Sequence, residues 1–370
     1  MAMRENLKNI LHVRVVSGSG GGPEKTIINS PRFLIPWGYN CLCAYMRPPK
    51  DAGFEVLRQR AEAAGCPLVD IEDRGATDFS VVKKLLKLCR ENDVQIWHGH
   101  DYKSNAIGLL LRRFHKMKLV TTVHGWVHHT SKTPLYYAID RFCLKRYDKV
   151  ICVSDDLFEQ CRKIGVRPER LTLIENAIDT DMFQRCSVPS DGLVRIGAVG
   201  RLEEEKGFAP LIETVAEIYK THPEIRLTIY GEGSLKGELE SLAKRLGVDN
   251  IVSLPGFERD LIKLYSSLDI FVLNSIREGL PNVCLEAMSM GAAMTATAVA
   301  GVPKLVTDGV DGLIIPMSDK AALQSALTKL IESPELRRTL AANARKTVEE
   351  RFSFDKRMEK MRALYDSLEE

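Results

Sequence analysis

Two glutamates on either side of a helix start form the most distinctive chemical pattern in the sequence. Residues 269–274 are apolar enough for a strand, and Pro281 marks the predicted first residue of the helix that follows, because proline needs no amide partner there. A helix start presents unpaired N–H groups and a positive dipole end, which suits an anionic ligand. Glu278 in the turn and Glu286 about two turns into the helix would flank that ligand. Carboxylates placed there suit sugar hydroxyls better than a phosphate.

Two cations follow another predicted strand, at 194–199. Arg201 comes almost directly after this strand, and Lys206 lies in a loop that opens a helix. Ligands of parallel α/β sheets bind beyond the carboxyl ends of the strands. The two side chains could therefore neutralise a diphosphate, arginine through its planar fork and lysine as a mobile point charge. Ordinary surface cations are the alternative interpretation.

Two further candidates stand at predicted strand ends in the first half of the chain. The glycine-rich stretch 17–22 follows a strand at 9–16, and Gly21 and Gly22 would let backbone amides approach a ligand. His124 ends a strand at 118–124, where a neutral imidazole could hydrogen-bond a sugar hydroxyl or support developing positive charge. A flexible turn and a satisfied polar histidine are the respective alternatives.

Length and composition indicate a soluble two-domain protein. A chain of 370 residues is too long for one ordinary core. No apolar run approaches the roughly 18 to 20 residues of a membrane span, and Lys8 and Arg14 interrupt the N-terminal apolar run, so no signal peptide is predicted. The nine cysteines form no Cys-x2-Cys pair. This pattern predicts a cytoplasmic location, and no nucleic-acid partner is expected.

The net charge of +3 hides an asymmetry between the halves. Residues 1–185 carry 29 Lys and Arg against 21 Asp and Glu, whereas residues 186–370 carry 23 against 28. The basic half could bind an anionic acceptor or lie peripherally against anionic lipid at the inner face of the cell membrane, or have no specific role. Within it, residues 109–118 could form an interfacial helix or an ordinary surface helix.

Strand-like and helix-like segments alternate throughout, which predicts an α/β protein with parallel sheets covered on both faces. The predicted strands of the first half are 9–16, 39–46, 67–71, 94–98, 118–124, 149–154 and 171–174, with helices at 52–64, 79–92, 103–115 and 155–164. A hinge rich in Ser, Pro, Asp and Gly is predicted at 184–192. The predicted strands of the second half are 194–199, 226–230, 251–254, 270–273, 293–297 and 313–315, and the chain is helical from 319 onwards.

Five motifs occur in one order: Thr-Val-His-Gly at 122–125, Glu-Asn-Ala-Ile-Asp at 175–179, Gly-Arg-Leu at 200–202 with Lys-Gly at 206–207, Glu-x7-Glu at 278–286, and Gly-Val-Pro at 301–303 with Asp-Gly-Val-Asp-Gly at 308–312. Together they resemble the retaining GT-B glycosyltransferases of family 4 (glycosyl transferases group 1). The resemblance implies two Rossmann-like domains facing across a cleft. Residues 1–185 would form an acceptor-binding domain, joined by a C-terminal helix at 355–370 that crosses back, and residues 186–354 a domain that binds the nucleotide-sugar donor.

The same resemblance implies the roles of individual residues. Catalysis would fall to Glu278, His124, Arg201 and Lys206. The implied donor site comprises Gly21, Gly22, Arg201, Lys206, Gly256, Phe257, Glu278, Gly279, Leu280, Pro281, Asn282 and Glu286. Glu286 would bind the ribose, Glu278 the transferred sugar, and the two cations the leaving nucleoside diphosphate. The donor phosphate itself would deprotonate the acceptor on the same face of the sugar, which retains the anomeric configuration.

No cofactor and no metal ion are expected. Asp179 and Asp181 imitate the Asp-x-Asp that other glycosyltransferases use to hold a cation, but they fall near the predicted hinge, and the family that the chain resembles works without metal. His98 and His100 invite a metal interpretation, as do His128 and His129. A metal site needs three or four ligands, and no further ligand has convincing spacing, so polar loop residues are the preferred interpretation.

The predicted function is therefore transfer of a hexosyl group from a nucleotide-diphosphate sugar to a hydroxyl of a glycan, a lipid-linked glycan or a small glycoside. A nucleotide-sugar epimerase on the same scaffold is the alternative. A nicotinamide oxidoreductase using Gly231 and Gly233, and a non-catalytic binding scaffold, are further hypotheses. Ala177, where relatives have glycine, and Lys304, where relatives often have glutamate, depart from the family pattern. The sequence does not identify the nucleotide, the sugar, the acceptor, the linkage or the oligomeric state.

Overall fold

The computed structural model of the protein describes residues 8–75, 78–125, 133–185, 191–278, 280–299 and 301–368. The chain divides into two compact units, 1–175 with 357–370, and 176–356. The boundary predicted from the sequence, 185/186, lies further along the chain. The return of the C-terminal segment to the first unit agrees with the prediction.

The first unit is a seven-stranded parallel sheet with strand order β3-β2-β1-β4-β5-β6-β7. Its strands are Lys8–Val15 (β1), Tyr39–Arg47 (β2), Leu68–Glu72 (β3), Ile96–Gly99 (β4), Lys118–Val123 (β5), Lys149–Cys152 (β6) and Leu171–Leu173 (β7). Its helices are Gly22–Leu34 (α1), Phe54–Ala63 (α2), Phe79–Glu91 (α3), Tyr102–Leu111 (α4), Thr133–Leu144 (α5) and Asp155–Lys163 (α6).

The second unit is a six-stranded parallel sheet with strand order β10-β9-β8-β11-β12-β13. Its strands are Val194–Val199 (β8), Ile225–Tyr230 (β9), Val252–Gly256 (β10), Ile270–Leu273 (β11), Ala293–Thr297 (β12) and Leu313–Ile315 (β13). The helices that follow α6 are Phe208–Tyr219 (α7), Lys236–Arg245 (α8), Leu261–Ser266 (α9), Asn282–Ser289 (α10), Val302–Leu305 (α11), Lys320–Glu332 (α12), Pro334–Arg351 (α13) and Phe354–Asp366 (α14). Residues of α14 from Arg357 onwards belong to the first unit.

The predicted fold class is confirmed in both units, and simple signals explain why. Short apolar runs such as Ile270–Leu273 are wholly buried, as expected for central strands of a parallel sheet covered on both faces. Side chains of Asp78, Asp101, Ser154 and Asp319 accept a backbone N–H at a helix start, which satisfies amides that would otherwise lack partners.

Three local predictions were wrong. Helix α4 ends at Leu111 rather than His115, so only the first three residues of the stretch 109–118 are helical, and β5 begins at Lys118. Helix α5 was not predicted. Pro281 is the N-cap of α10, with ψ of 114°, and Asn282 is its first residue, because proline already has the fixed φ that either position accepts.

Candidate active site

An ion pair lies beyond the carboxyl ends of two neighbouring strands, β8 and β11. Lys206 Nζ is 2.6 Å from Glu278 Oε1, and the two side chains are only 16% and 11% exposed. Ser275 donates its hydroxyl to the same carboxylate oxygen at 2.7 Å. Because β8 and β11 pair directly, the loops that follow them bring together two predicted residues that are far apart in sequence.

Close backbone packing fixes these loops. Gly207, which follows Lys206, has φ of 65°, and a Cβ there would lie 2.2 Å from the carbonyl oxygen of Asn274. The Asn274 amide in turn donates to the Gly207 carbonyl at 2.9 Å. Gly231 approaches the Gly200 carbonyl even more closely, since a Cβ would lie 1.8 Å from its oxygen. Both positions therefore require glycine, and loop packing explains Gly231 without a nicotinamide cofactor.

Arg201 takes a different position from Lys206. Its side chain is 69% exposed and pairs with Glu205 at 2.7 Å. Of the two predicted cations, Lys206 therefore contacts Glu278, whereas Arg201 lies at the surface and contacts Glu205 of its own loop. An exposed pair of this kind is weak, so Arg201 can exchange Glu205 for an anionic ligand at little cost.

The second glutamate of the motif, Glu286, is 5% exposed and lies in the second turn of α10. Tyr265 donates its hydroxyl to Glu286 Oε2 at 2.8 Å. Burial and the neighbouring carboxylate raise the pKa of Tyr265 well above its ordinary value, so this tyrosine keeps its proton. No motif or spacing in the sequence marks Tyr265, which lies on the buried face of the short helix α9.

The start of α10 carries the remaining predicted residues of this loop. Leu280 is buried in the core, and Gly279 lies outside the described residues. The side-chain oxygen of Asn282 is buried and has no hydrogen-bond partner among the residues that the structure describes. An unsatisfied buried polar atom costs stability, and its place at a helix start marks a position where a ligand could supply the missing hydrogen bond.

Gly256 ends β10, and Phe257 follows it directly. Gly231 donates its N–H to the Gly256 carbonyl at 2.9 Å, so this carbonyl already has a partner. The Phe257 ring is 62% exposed. Gly256 is thus joined to the loop after β9, and the neighbouring Phe257 side chain is open to solvent.

In the first unit, Gly21 is the N-cap of α1 and Gly22 its first residue. The Gly21 N–H donates to Glu24 Oε2 at 2.6 Å, and the buried Glu24 carboxylate also pairs with Arg14. The helix start at the predicted donor-site residues Gly21 and Gly22 is therefore already capped by a carboxylate of its own first turn.

His124 is half-buried and follows β5 directly. It is not isolated, because His100 Nδ1 lies 3.3 Å from His124 Nε2 and His12 Nδ1 lies 3.0 Å from His100 Nε2. His98 stacks on His100 with ring centroids 4.3 Å apart. Burial lowers the pKa of His12 to about 3 and the pKa of the other three rings well below the ordinary value, so all four imidazoles are neutral.

The prediction that His98 and His100 are polar loop residues without a third partner was wrong: His98 lies within β4, both are buried, and ligand atoms of His12, His98 and His100 lie within 4.8 Å of one another. A cation is nonetheless disfavoured. Both His98 nitrogens hydrogen-bond hydroxyls, of Tyr365 at 2.6 Å and Thr122 at 2.8 Å. Burial and the neighbouring histidines are the larger causes of the lowered pKa of His100, and the guanidinium charge of Arg14 lowers this pKa further. The same charge would repel a metal ion. His128 and His129 lie outside the described residues.

Comparison with known proteins decides the family. Residues 20–182 match the model of "Glycosyltransferase Family 4", and residues 185–347 match that of "Glycosyl transferases group 1". The chain belongs to the family 4, group 1 glycosyltransferases. It is 26% identical to the UDP-Gal:alpha-D-GlcNAc-diphosphoundecaprenol alpha-1,3-galactosyltransferase of Escherichia coli over 78% of this chain and 79% of that protein. It is 25% identical to the D-inositol 3-phosphate glycosyltransferase of Corynebacterium aurimucosum over 85% and 84%.

Solved structures share the fold of this glycosyltransferase. Anabaena HepE in complex with UDP superposes with a TM-score of 0.81 at 22% identity, covering 98% of this chain and 100% of that one. The lipopolysaccharide outer core galactosyltransferase WaaB gives a TM-score of 0.74 at 18% identity, over 98% and 99%. Within the described residues of the glycosyltransferase, no helix combines the length and apolarity needed to cross a membrane.

Proposed function

We propose that this glycosyltransferase moves a hexosyl group from a nucleotide-diphosphate sugar to a hydroxyl acceptor, with retention of anomeric configuration and without a metal ion. The observation that carries the proposal is the largely buried ion pair of Lys206 and Glu278 beyond the carboxyl ends of β8 and β11. Ligands of open α/β sheets bind at these strand ends. A lysine has three N–H donors, so Lys206 can keep Glu278 while it donates to a phosphate oxygen.

The proposed reaction breaks the bond between the anomeric carbon and the phosphate oxygen. The electron pair stays on the leaving diphosphate, whose growing charge Lys206 and Arg201 stabilise together with the N–H groups at the start of α10. The acceptor oxygen bonds to the anomeric carbon from the same face, and its proton passes to the leaving phosphate oxygen. Glu278 holds hydroxyls of the transferred sugar, and the buried Glu286 holds the ribose.

Metal independence is supported by the contacts of Asp179, the first carboxylate of the Asp-x-Asp look-alike. Asp179 Oδ1 accepts the N–H groups of Asp181 and Met182 at 3.2 and 3.3 Å, so the Asp-x-Asp look-alike caps its own turn. Two cationic side chains can supply the positive charge that a divalent ion would otherwise provide. The E. coli relative uses UDP-Gal by name, which makes uridine diphosphate sugars the first donors to test.

Transfer and binding should be measured on matched variants of the ion pair. Lys206→Met and Glu278→Gln keep most of the side-chain volume while each removes one charge. We expect each to abolish measurable transfer, and Lys206→Met to weaken binding of nucleoside diphosphates in a thermal-shift panel of diphosphates and their sugars. Saturating ligand at a hundredfold excess over Kd raises wild-type stability by about 2.7 kcal/mol.

The double variant Lys206→Met/Glu278→Gln is the folding control, because it removes both charges and leaves none unpaired. Wild-type transfer by either single variant would reject the assignment. Anomeric configuration of the product, read by NMR, tests retention, and unchanged rates in EDTA test metal independence. Conversion of the donor without any acceptor would instead indicate an epimerase.

We further propose that the acceptor is lipid-linked and that the first unit binds an anionic membrane surface through the α4–α5 patch. This patch comprises the exposed residues of α4, of the turn that follows it and of α5. Leu110, Ile139, Phe142 and Arg113 line a groove of about 570 Å³ between the two helices, and Arg146 stacks on the Phe142 ring. The same segments also expose the apolar residues Phe114 and Leu135 and the cations Arg112, Lys116 and Arg141. Exposed apolar side chains and cations in the same segments suit an interface of acyl chains and anionic headgroups. The E. coli relative acts on a diphosphoundecaprenol acceptor by name.

Vesicle co-sedimentation tests the α4–α5 patch. Phe114→Ser/Phe142→Ser should weaken binding to phosphatidylglycerol vesicles roughly a hundred-fold, since each of the two partly inserted rings contributes about 1.5 kcal/mol. Phe79→Ser is the control, because Phe79 is 74% exposed in the same unit but lies on α3. Equal loss in both variants, or equal binding of wild type to neutral and anionic vesicles, would contradict the proposal.

A further inference from the structure

Three neutral histidines form a hydrogen-bonded row that ends at His124. His12 lies inside β1, His100 follows β4, and His124 follows β5. His12 Nδ1 lies 3.0 Å from His100 Nε2, and His100 Nδ1 lies 3.3 Å from His124 Nε2. Both ring nitrogens of His100 are therefore engaged, one on each side.

The proton count of this row allows only two arrangements. A neutral imidazole carries one N–H and one lone pair, so His100 must donate on one side and accept on the other. Either every ring is protonated at Nδ1, or every ring is protonated at Nε2. In the first arrangement protons point from His12 towards His124, and in the second they point the other way.

The far end of the row distinguishes the two arrangements. His12 Nε2 is buried and has no hydrogen-bond partner within the described part of the chain. Protonation at Nε2 would bury an N–H donor without an acceptor, whereas protonation at Nδ1 leaves only a lone pair there. Buried N–H groups without partners are rarer in proteins than under-satisfied acceptors. The first arrangement is favoured.

We propose that His12 and His100 are positioning residues that hold His124 as the neutral Nδ1–H tautomer, so that His124 offers a ligand an N–H donor rather than a basic lone pair. The proposal deepens the proposed function and rests on it, because it assumes that His124 contacts a sugar hydroxyl, the role that the sequence analysis gives it. The proposal predicts that the Nδ1–H of His124 donates a hydrogen bond to an oxygen of the ligand, such as a sugar hydroxyl oxygen. His124 cannot then act as a general base through Nδ1.

The surroundings keep the row neutral, as the proposal requires. The guanidinium of Arg14 donates to the His100 carbonyl at 3.0 Å and, with burial, lowers the pKa of His100 and His124. The buried guanidinium of Arg357 lowers the pKa of His124 further. The nearby carboxylates are otherwise engaged, Glu24 by Arg14 and Asp101 by the backbone N–H groups of Val15, Lys103 and Ser104.

Two substitutions at one position separate the two sides of the row. Asparagine places its amide near the position of the imidazole Nδ1, so His100→Asn can still donate to His124. Glutamine places its amide near the position of Nε2, so His100→Gln retains the contact with His12 and loses the donor to His124. A free histidine side chain prefers the Nε2–H tautomer, so we expect His124 to revert to it in His100→Gln only.

The measurement is long-range ¹H–¹⁵N NMR of histidine side chains in the full-length protein, with His124→Asn used to assign the His124 signals. His115 serves as an internal reference for the opposite tautomer, because its Nε2 lies 2.7 Å from the Val94 carbonyl and must donate to it. Transfer rates provide the second readout. We expect His100→Asn to remain near wild type and His100→Gln to lose up to roughly ten-fold in kcat/KM, the value of one neutral hydrogen bond.

An Nδ1–H signature for His124 in wild type and His100→Asn, lost in His100→Gln, supports the proposal. An Nε2–H signature for His124 in wild type overturns it, and this result does not depend on any variant folding. Unchanged His124 signals in His100→Gln also overturn it. Since the tautomer is read without substrate, failure of nucleotide-sugar transfer would reject the proposed function while leaving the histidine row intact.

Discussion

At the scale of single residues, the two motif glutamates are held by different partners. Glu278 pairs with a cation, Lys206, whereas Glu286 accepts a hydroxyl from Tyr265 in a buried setting. A hydrogen bond from a neutral donor fixes the direction of a carboxylate without cancelling its charge. Glu286 therefore remains a good acceptor for further hydroxyls, such as those of a ribose.

Tyr265→Phe tests this orientation. Removing the hydroxyl leaves the buried Glu286 without one of its donors, which should destabilise the fold by about 1–3 kcal/mol and weaken nucleoside diphosphate binding. Urea unfolding and isothermal titration calorimetry measure the two effects. Tyr219→Phe is the matched control, since the Tyr219 hydroxyl accepts a long, exposed bond of 3.4 Å from Asn250. Wild-type nucleotide affinity in Tyr265→Phe would show that Glu286 is oriented by other contacts.

The sequence could predict which charged residues approach one another, because strand ends of a parallel sheet meet at one edge. It placed Lys206 and Glu278 at such ends, and the structure joins them. It could not predict that Arg201 turns outward to Glu205. Alternative ion pairs of an exposed arginine differ by only small free energies, and the sequence does not show which pair forms. Nor could it find Tyr265 or His12, whose roles depend on which buried face each residue occupies.

At the scale of elements, the β-strands were the most predictable parts, because runs such as Ile270–Leu273 are apolar on both faces. Helix α5 was missed because its apolar residues do not form a single stripe: Leu135, Ile139 and Phe142 remain exposed while Cys143 and Leu144 are buried. The loops that carry the site depend on close backbone packing. A sequence shows the glycines but not the carbonyl groups that they must approach.

The turn into α7 gives a prediction at this scale. Gly207→Ala places a methyl group 2.2 Å from the Asn274 carbonyl oxygen in a left-handed backbone conformation. We expect a loss of about 2 kcal/mol or more in unfolding free energy, together with weaker nucleotide binding, because Lys206 precedes this glycine. Differential scanning calorimetry and nucleotide titration measure both.

Gly237→Ala is the matched control, because Gly237 lies in α8 and an added Cβ meets no atom within 4 Å. An alanine inside a helix should raise stability by up to about 1 kcal/mol. Equal stability of the two alanine variants would show that the Gly207 turn relaxes to accept a Cβ. This result would contradict the claim that the turn holds Lys206 rigidly relative to α7.

At the scale of the whole molecule, the buried histidines make stability depend on pH. The pKa of His12 is lowered to about 3, and the pKa values of His98, His100 and His124 lie well below the ordinary 6.5, with burial as the first cause. The unfolded chain therefore binds these protons at a higher pH than the folded chain does. Stability contributed by the neutral rings is present above about pH 6.5 and falls as the pH drops below it.

Each such group contributes a slope of up to about 1.4 kcal/mol per pH unit, so four together approach about 5 kcal/mol per pH unit below pH 6. Since domains are stable by only about 5–15 kcal/mol, the first unit should unfold cooperatively near pH 5. Urea unfolding between pH 8 and pH 5 measures the slope. His12→Phe cannot take up a proton and should reduce the slope by about a quarter. A slope independent of the His12 substitution would mean that water reaches the histidine row and that the rings are protonated in the folded protein.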